Sequence, residues 1–416
     1  MNENGAIART SPIFHRYVMT LLFLAFYYLS YRYPLKINSS TTSPTYTDTP
    51  FYLAAAKYVF FLMIMAATIL RSSLSAGMAK RKFQEYVDFL VVLYVALFPL
   101  VASLLTGNEE LFQTGIFFLA VLPLYLFDYR DIREEDLRRA ITCFLFICVV
   151  AEVVQLILFG VWGRLPALAY EESFSVRFGS VWDDPNGFSF FLSFLIAYCL
   201  YGMGGTWGKG ILLLSLGAML MLTQSLTGIS STILGLFLTG WVGAIASRSP
   251  RNYRIALFIS SVCILASIGV TLFLYRDSLL KELVLLKTGS IEEHLKITKH
   301  LYKADAIQFL GFSPHGLYGE SGYINMVLNY GFLYMFLYIY ICGKTMFRLV
   351  WLLSKRRIEK CIEIFFGFFC FLVAYCLGMF NLPLDTVFPL NLFLVIIFMI
   401  TAMKIKNLET NTARTG

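Results

Sequence analysis

The chain has 416 residues, of which 58% are hydrophobic, 17% are aromatic and only 14% are charged. A soluble protein carries about 25% charged residues, and the mean hydropathy of +0.69 likewise excludes a set of soluble domains. The net charge of +8 does not indicate nucleic-acid binding, because the basic residues cluster between apolar runs, where they orient membrane proteins. We therefore predict an all-α, polytopic integral membrane bundle.

Apolar runs recur along the whole chain. A span needs about 20 apolar residues to cross a hydrocarbon core of about 30 Å. This predicts a single membrane domain over residues 1–416 with about twelve transmembrane helices. The predicted spans are 15–33, 51–70, 86–105, 111–128, 140–160, 187–203, 209–224, 227–246, 254–275, 321–342, 362–380 and 387–403. Two short spans and one long tilted helix both fit residues 209–246.

The segments between the spans alternate in charge. Most of the 34 Lys and Arg residues fall on one side, in the N-terminus, 71–85, 130–139, 204–208, 247–253, 343–361 and the C-terminus. Because basic loops remain in the cytoplasm, we predict that both termini are cytoplasmic. Residues 404–416 are expected to form a disordered cytoplasmic tail. Segments 161–186 and 276–320 are then placed on the outer face.

The longest segment between spans is 276–320. Its Ser290-Ile291-Glu292-Glu293 is typical of a capping box that opens a helix. The charged residues that follow recur at helical spacing: Glu292, Lys296, Lys299 and Lys303. We predict an amphipathic helix that lies on the membrane or across a cavity. Its charged stripe is either a solvated, headgroup-facing surface or a basic wall for a diphosphate.

The junction between segment 161–186 and the next span contains Arg177 and the sequence Asp184-Pro185-Asn186-Gly187. Proline, asparagine and glycine in this order indicate a turn followed by a helix start. Capping of that helix is the simpler interpretation of Asp184 and Asn186. Arg177 either holds a phosphate through paired donors or contacts lipid headgroups or an acidic neighbour.

Two more groups of polar residues lie at outer ends of spans. Ser225 and Thr227 belong to a cluster of small polar residues that serves helix packing or lines a cavity. His315 and Glu320 precede the span that begins near residue 321. Glu320 fits a helix start, where the helix dipole favours a carboxylate. Either residue could instead accept a proton from a sugar hydroxyl.

These motifs have a familiar layout. The chain combines about twelve predicted spans with three motifs. The first is Arg177 ahead of Asp184-Pro185-Asn186, and the second is the segment Ser225-Leu226-Thr227-Gly228. The third is a long outer loop that contains Pro314-His315-Gly316 and ends in Glu320-Ser321-Gly322-Tyr323. The chain resembles the superfamily of bacterial membrane glycosyltransferases that contains the O-antigen polymerases (Wzy-type) and O-antigen ligases. The resemblance covers the layout of the whole chain, and its motifs cover about 175–190, 223–228 and 299–331.

The resemblance implies transfer of a glycan from undecaprenyl diphosphate to an acceptor sugar hydroxyl at the periplasmic face of the bacterial inner membrane. The acceptor is another lipid-linked repeat unit in a polymerase and the lipid A core in a ligase. The implied catalytic residues are His315 and Glu320. The implied substrate-binding residues are Arg177, Asp184, Asn186, Ser225, Thr227, Lys299 and Lys303.

Three positions depart from the family pattern. Leu226 stands where the middle motif often has an arginine. The long loop often carries an arginine ahead of its glycine turn, whereas this chain has Lys299 and Lys303 available there. A lysine supplies charge without the paired donors of arginine. Ligases tend to have a His followed by Asn or Ser where this chain has Glu320-Ser321, which favours a polymerase.

The expected partners are an undecaprenyl-diphosphate-linked oligosaccharide, membrane lipids and a chain-length regulator protein, with no nucleic acid. No Asp-x-Asp motif occurs in an early outer loop, so we expect metal-independent transfer without a cofactor. The alternatives are an O-antigen ligase, a lipid-linked oligosaccharide flippase or other transporter, and a lipid-binding or assembly scaffold. The long outer loop and the lack of repeated halves argue against a transporter.

Overall fold

The structure is a computed structural model of the chain. It describes residues 13–32, 51–75, 83–107, 109–127, 132–162, 169–172, 175–182, 184–202, 207–246, 309, 321–354 and 362–415. The elements in chain order are α1 (Ile13–Arg32), α2 (Phe51–Ser75), α3 (Phe83–Thr106), α4 (Glu109–Gly115), a 3-10 helix (Ile116–Val121), α5 (Leu122–Leu126), α6 (Glu134–Trp162), β1 (Ala169–Glu172), β2 (Ser175–Phe178), α7 (Pro185–Gly202), α8 (Trp207–Leu222), α9 (Leu226–Ala246), α10 (Gly322–Ser354), α11 (Ile362–Gly378) and α12 (Leu390–Thr415).

The described part of the chain is almost entirely helical, as predicted. Six of its helices are long and apolar enough to cross a membrane, over Ala55–Leu74, Glu85–Thr106, Glu134–Val161, Leu226–Ala244, Phe332–Ser354 and Leu390–Glu409. Shorter apolar helices coincide with other predicted spans, over Ile13–Phe26, Leu111–Leu126, Pro185–Tyr201, Trp207–Leu222 and Ile362–Gly378. The helices are compatible with a multi-pass membrane protein. The predicted span 254–275 lies outside the described residues, so the number of about twelve stays a prediction.

Helices α7 and α11 form the centre of the bundle. They pack against each other, and both contact α9. Nearly every side chain of both helices is buried. Phe194 of α7 lies 5.6 Å from the ring of Phe368 and 5.1 Å from that of Phe393. Such ring pairs stabilise a core beyond the effect of burial alone. Exposed apolar side chains lie instead on peripheral helices, for example Leu74 and Leu104.

Several predicted boundaries differ from the structure. For example, α10 continues to Ser354, whereas its span was predicted to end at residue 342. The predicted span 111–128 is divided into α4, the 3-10 helix and α5, and Pro123 lies at the start of α5, where a missing N–H is tolerated. In the structure α12 continues to Thr415, past residue 404, where the disordered tail was predicted to begin. Residues 404–415 contain no glycine or proline to end the helix, and Lys404 pairs with Glu134.

Two short connections position the N-terminal ends of α7 and α9. Residues 209–246 form two helices rather than one, because the chain turns between Leu222 and Leu226 and Gln224 adopts a φ of 50°. In segment 161–186, β1 and β2 pair as an antiparallel hairpin, which adds a small sheet to the predicted all-α bundle. The hairpin leads directly into α7.

Candidate functional site

Arg177 lies at the end of the hairpin, opposite Tyr170 in the β1–β2 register. It is 9% exposed. Its Nε donates a hydrogen bond to the Thr223 carbonyl oxygen at 2.8 Å, and its Nη2 donates to Asn186 Oδ1 at 2.7 Å. The structure therefore joins two polar segments that the sequence analysis had selected separately.

Asp184 forms the N-terminal cap of α7. Its Oδ1 accepts from the Asn186 backbone N–H at 2.9 Å, and its Oδ2 accepts from that of Gly187 at 3.0 Å. These bonds satisfy backbone donors that the first helical turn leaves unpaired. The cap orients the turn that carries Asn186, so Asp184 positions Asn186 and, through it, the guanidinium group of Arg177.

The turn between α8 and α9 is held by its own hydroxyl groups. Thr223 Oγ1 accepts from the Ser225 N–H at 3.3 Å, and Ser225 Oγ accepts from the Gly228 N–H at 3.2 Å. Ser225 is thus the N-terminal cap of α9. Leu226, which stands where the family often has an arginine, is 61% exposed. It lies outside the buried polar contacts of this turn.

The sequence analysis missed the segment 379–389, which connects α11 to α12. Asn381 Nδ2 donates to Thr227 Oγ1 at 2.6 Å. The carbonyl oxygen of Met379 accepts from Ser321 Oγ at 3.3 Å. We call the residues joined in this region the outer polar cluster, after the face on which the sequence analysis predicts these segments, and it consists of Arg177, Asp184, Asn186, Thr223, Ser225, Thr227 and Asn381. The signal that could have identified Asn381 is its place among few polar residues between two apolar spans.

Three helices begin at the outer polar cluster: α7 after Asp184, α9 after Ser225 and α10 after Ser321. Ser321 meets Met379, two residues before Asn381 in the same segment. A helix N-terminus carries a partial positive charge and favours anions. Together with the permanent charge of Arg177, these ends make the region electropositive, although the Asp184 carboxylate offsets part of that charge. The arrangement is suited to an anionic group such as a phosphate.

The same segment contains a buried acid. Asp385 is 3% exposed, and its Oδ1 has no hydrogen-bond partner among the described residues. Its carboxyl group lies beside Thr114, within electrostatic range of Tyr338 and Tyr375. Burial raises the pKa of Asp385 from 3.8 to about 7, since an ion is poorly solvated there. Asp385 can therefore gain or lose a proton near neutral pH. The sequence analysis did not select this residue.

Four of the predicted site residues lie outside the described part of the chain: His315, Glu320, Lys299 and Lys303. The predicted amphipathic helix of segment 276–320 lies outside it as well. Within the described residues, no three His, Cys, Asp or Glu side chains are grouped closely enough to hold a metal ion.

No known protein-family model matches the chain, and no curated protein matches it. A function therefore has to be inferred from the outer polar cluster and from the motifs of the sequence.

Proposed function

We propose that this protein polymerises lipid-linked polysaccharide repeat units, of an O-antigen or a similar surface polysaccharide or exopolysaccharide. It transfers the glycan from undecaprenyl diphosphate to an acceptor sugar hydroxyl at the periplasmic face of the bacterial inner membrane. The observation that carries the proposal is the buried Arg177, held at the point where α7, α9 and α10 begin.

A buried arginine in this position suits a diphosphate. Charges interact more strongly where water is excluded, and a donor that is already oriented needs no reorganisation when negative charge develops on the leaving group. The bonds of Arg177 to Thr223 and Asn186 fix the plane of its guanidinium group. The cluster can therefore favour departure of the diphosphate.

In the reaction that we propose, the bond between the anomeric carbon and the diphosphate oxygen breaks. A new bond forms between that carbon and the acceptor hydroxyl oxygen, and the hydroxyl proton passes to a base. We assign the base to His315 or Glu320, which precede Ser321 in the chain. Lys299 and Lys303 offset further charge of the diphosphate, so the transfer needs no metal ion.

Two features of the described structure support this proposal, although neither identifies the sugar. The peripheral helices expose apolar side chains, as a protein that receives a lipid-linked donor within the bilayer requires. The outer polar cluster contains hydroxyl and amide groups, such as those of Ser225, Thr227 and Asn381, which can hydrogen-bond sugar hydroxyls. Both termini are cytoplasmic in this proposal, and a chain-length regulator protein is the expected partner.

The test is the banding pattern of surface glycan in a strain that lacks this protein. Loss of the long bands, with single repeat units still attached to the core lipid, is the expected result. Complementation with the full chain should restore the ladder. Loss of all glycan, single repeats included, would instead identify a ligase or a flippase, and an unchanged ladder would refute the proposal.

A further inference from the structure

A second charged group lies between α3 and α10, which pack as antiparallel neighbours. Tyr334 of α10 donates to the carbonyl oxygen of Val95 of α3 at 3.1 Å, and Phe98 contacts Tyr330 with ring centroids 6.2 Å apart. Along this pair, earlier residues of α3 meet later residues of α10. Asp88, near the start of α3, is therefore placed beside the last turns of α10.

Asp88 is buried and has two cationic partners on α10. Lys344 Nζ lies 2.5 Å from Asp88 Oδ1, and Arg348 Nη2 lies 3.1 Å from Asp88 Oδ2. Tyr340 donates its hydroxyl hydrogen to Asp88 Oδ1 at 3.2 Å. We call Asp88, Tyr340, Lys344 and Arg348 the α3–α10 basic cluster. Two cations and one carboxylate leave it with an excess of one positive charge.

One donor of this cluster is unused. Arg348 Nη1 is buried and has no hydrogen-bond partner among the described residues. An unpaired buried donor is costly, and more so when it is charged. The side chains of Lys344 and Arg348 are 15% and 21% exposed, so the cluster reaches the surface of the bundle.

The surface around the cluster is apolar and aromatic. Tyr86, Leu90 and Phe347 are each at least half exposed, as expected of side chains that face lipid. Lys344 and Arg348 lie in the second half of α10, beyond the break in the helix at Gly331, whereas α10 begins beside the outer polar cluster. Asp88 lies near the start of the apolar stretch Glu85–Thr106 of α3. The α3–α10 basic cluster is therefore toward the opposite end of α10 from the outer polar cluster. The chain continues after α10 with Lys355, Arg356 and Arg357, as is typical of the cytoplasmic side.

We propose that the α3–α10 basic cluster binds the phosphate headgroup of an anionic phospholipid in the leaflet opposite the outer polar cluster. Basic pockets between helices on the cytoplasmic side of a membrane are suited to such headgroups. The lipid phosphate accepts from Arg348 and Lys344, while the acyl chains contact the apolar side chains beside them. This inference does not depend on the proposed glycan chemistry.

The test uses the purified full-length protein in nanodiscs or detergent, with phosphatidylglycerol as the anionic probe and phosphatidylcholine as the neutral one. Native mass spectrometry counts the lipids retained, and lipid-dependent thermal stabilisation gives an apparent affinity. Arg348→Gln and Lys344→Gln should each weaken phosphatidylglycerol binding about fivefold without changing phosphatidylcholine binding. Arg139→Gln is the matched control, because the Arg139 side chain is 79% exposed and pairs with Asp136 at the surface.

Substitution of Asp88 distinguishes lipid binding from a purely structural ion pair by the direction in which phosphatidylglycerol binding changes. Asp88→Asn keeps the size of the side chain and raises the charge of the cluster, so it should strengthen phosphatidylglycerol retention. If that variant does not fold, the two glutamine variants decide the question. Binding that is unchanged in both glutamine variants would overturn the proposal. Competition by inorganic phosphate at the same site, with no preference for the lipid, would overturn the assignment to a lipid headgroup.

Discussion

The Nε of Arg177 donates a hydrogen bond to the carbonyl oxygen of Thr223, a residue 46 positions later in the chain, at 2.8 Å. Because the acceptor is a backbone oxygen, the bond depends on the path of the turn between α8 and α9 rather than on the side chain at position 223. The hairpin and this turn therefore hold each other in place, and the position of the guanidinium group depends on both.

Arg177→Ala should abolish the long glycan chains and leave only single repeat units attached to the core lipid, since the charge that stabilises the leaving diphosphate is removed. Arg177→Lys should give glycan chains of intermediate length, because lysine keeps the charge but lacks the paired donors of arginine. The glycan banding pattern is the measurement. Arg139→Ala, at an exposed position on α6, should leave the ladder intact. A normal ladder from Arg177→Ala would remove this residue from the proposed site.

Glu320→Gln or His315→Ala should lower polymerisation strongly without loss of protein from the membrane. The loss of a positioned base costs about 100-fold to 10,000-fold in rate. Glycan ladders and immunoblots of the membrane fraction, measured on the same cells, separate lost activity from lost protein. Normal ladders from both variants would refute the catalytic assignment.

Gly228→Ala should destabilise the protein by about 1–3 kcal/mol, since a larger side chain would overpack the core. A Cβ atom at this position would lie 1.7 Å from Ser189 Oγ and 2.4 Å from Ser189 Cβ. Ser189→Gly should recover part of the loss in the double variant. Gly217→Ala is the control, because a Cβ at Gly217 meets nothing within 4 Å. Thermal unfolding in detergent gives the comparison, and equal melting of the two alanine variants would contradict the close contact of α7 and α9.

Asp385 should make stability depend on pH. Its pKa is raised by burial from 3.8 to about 7, so the folded state binds its proton more tightly than the unfolded state does. The stabilising contribution is complete below about pH 4 and is lost as the pH rises to about 7, an effect of about 4 kcal/mol.

Asp385→Asn should remove this dependence, because an amide does not ionise. The melting temperature of the variant minus that of the wild-type protein should therefore increase as the pH rises from 4 to 8. Thermal unfolding across that range is the measurement. Parallel curves for the two proteins would show that the Asp385 carboxyl group is not buried as described.

Much of the local structure followed from the sequence. Asp184-Pro185-Asn186 predicted the start of α7, because helix caps and proline act through neighbouring residues. For residues 209–246 the sequence fits both two short spans and one long helix. The hydroxyl groups of Thr223 and Ser225 favour a turn there, yet the apolar residues on both sides fit a continuous helix equally well. The bonds that these hydroxyls make within the turn decided between the two.

The candidate site was predicted only in part. The sequence analysis selected Arg177, Asn186, Ser225 and Thr227, because polar residues at the ends of apolar spans are uncommon. It did not select Asn381, whose contact with Thr227 joins residues 154 positions apart. The polar character of each residue can be read from its own neighbours, but no local pattern indicates that the two pair, because the contact depends on how α9 and the segment 379–389 come together.

The sequence by itself determined that this protein is helical and apolar enough for a membrane, and where most of its helices begin. Hydropathy, capping and charge are properties of short stretches of chain, and they act before any two helices meet. Only the tertiary structure decided that Arg177 lies against Thr223 and Asn186, and that Asp88 pairs with Lys344. These contacts depend on which helix faces pack together, and that choice depends on the fit of many side chains at once.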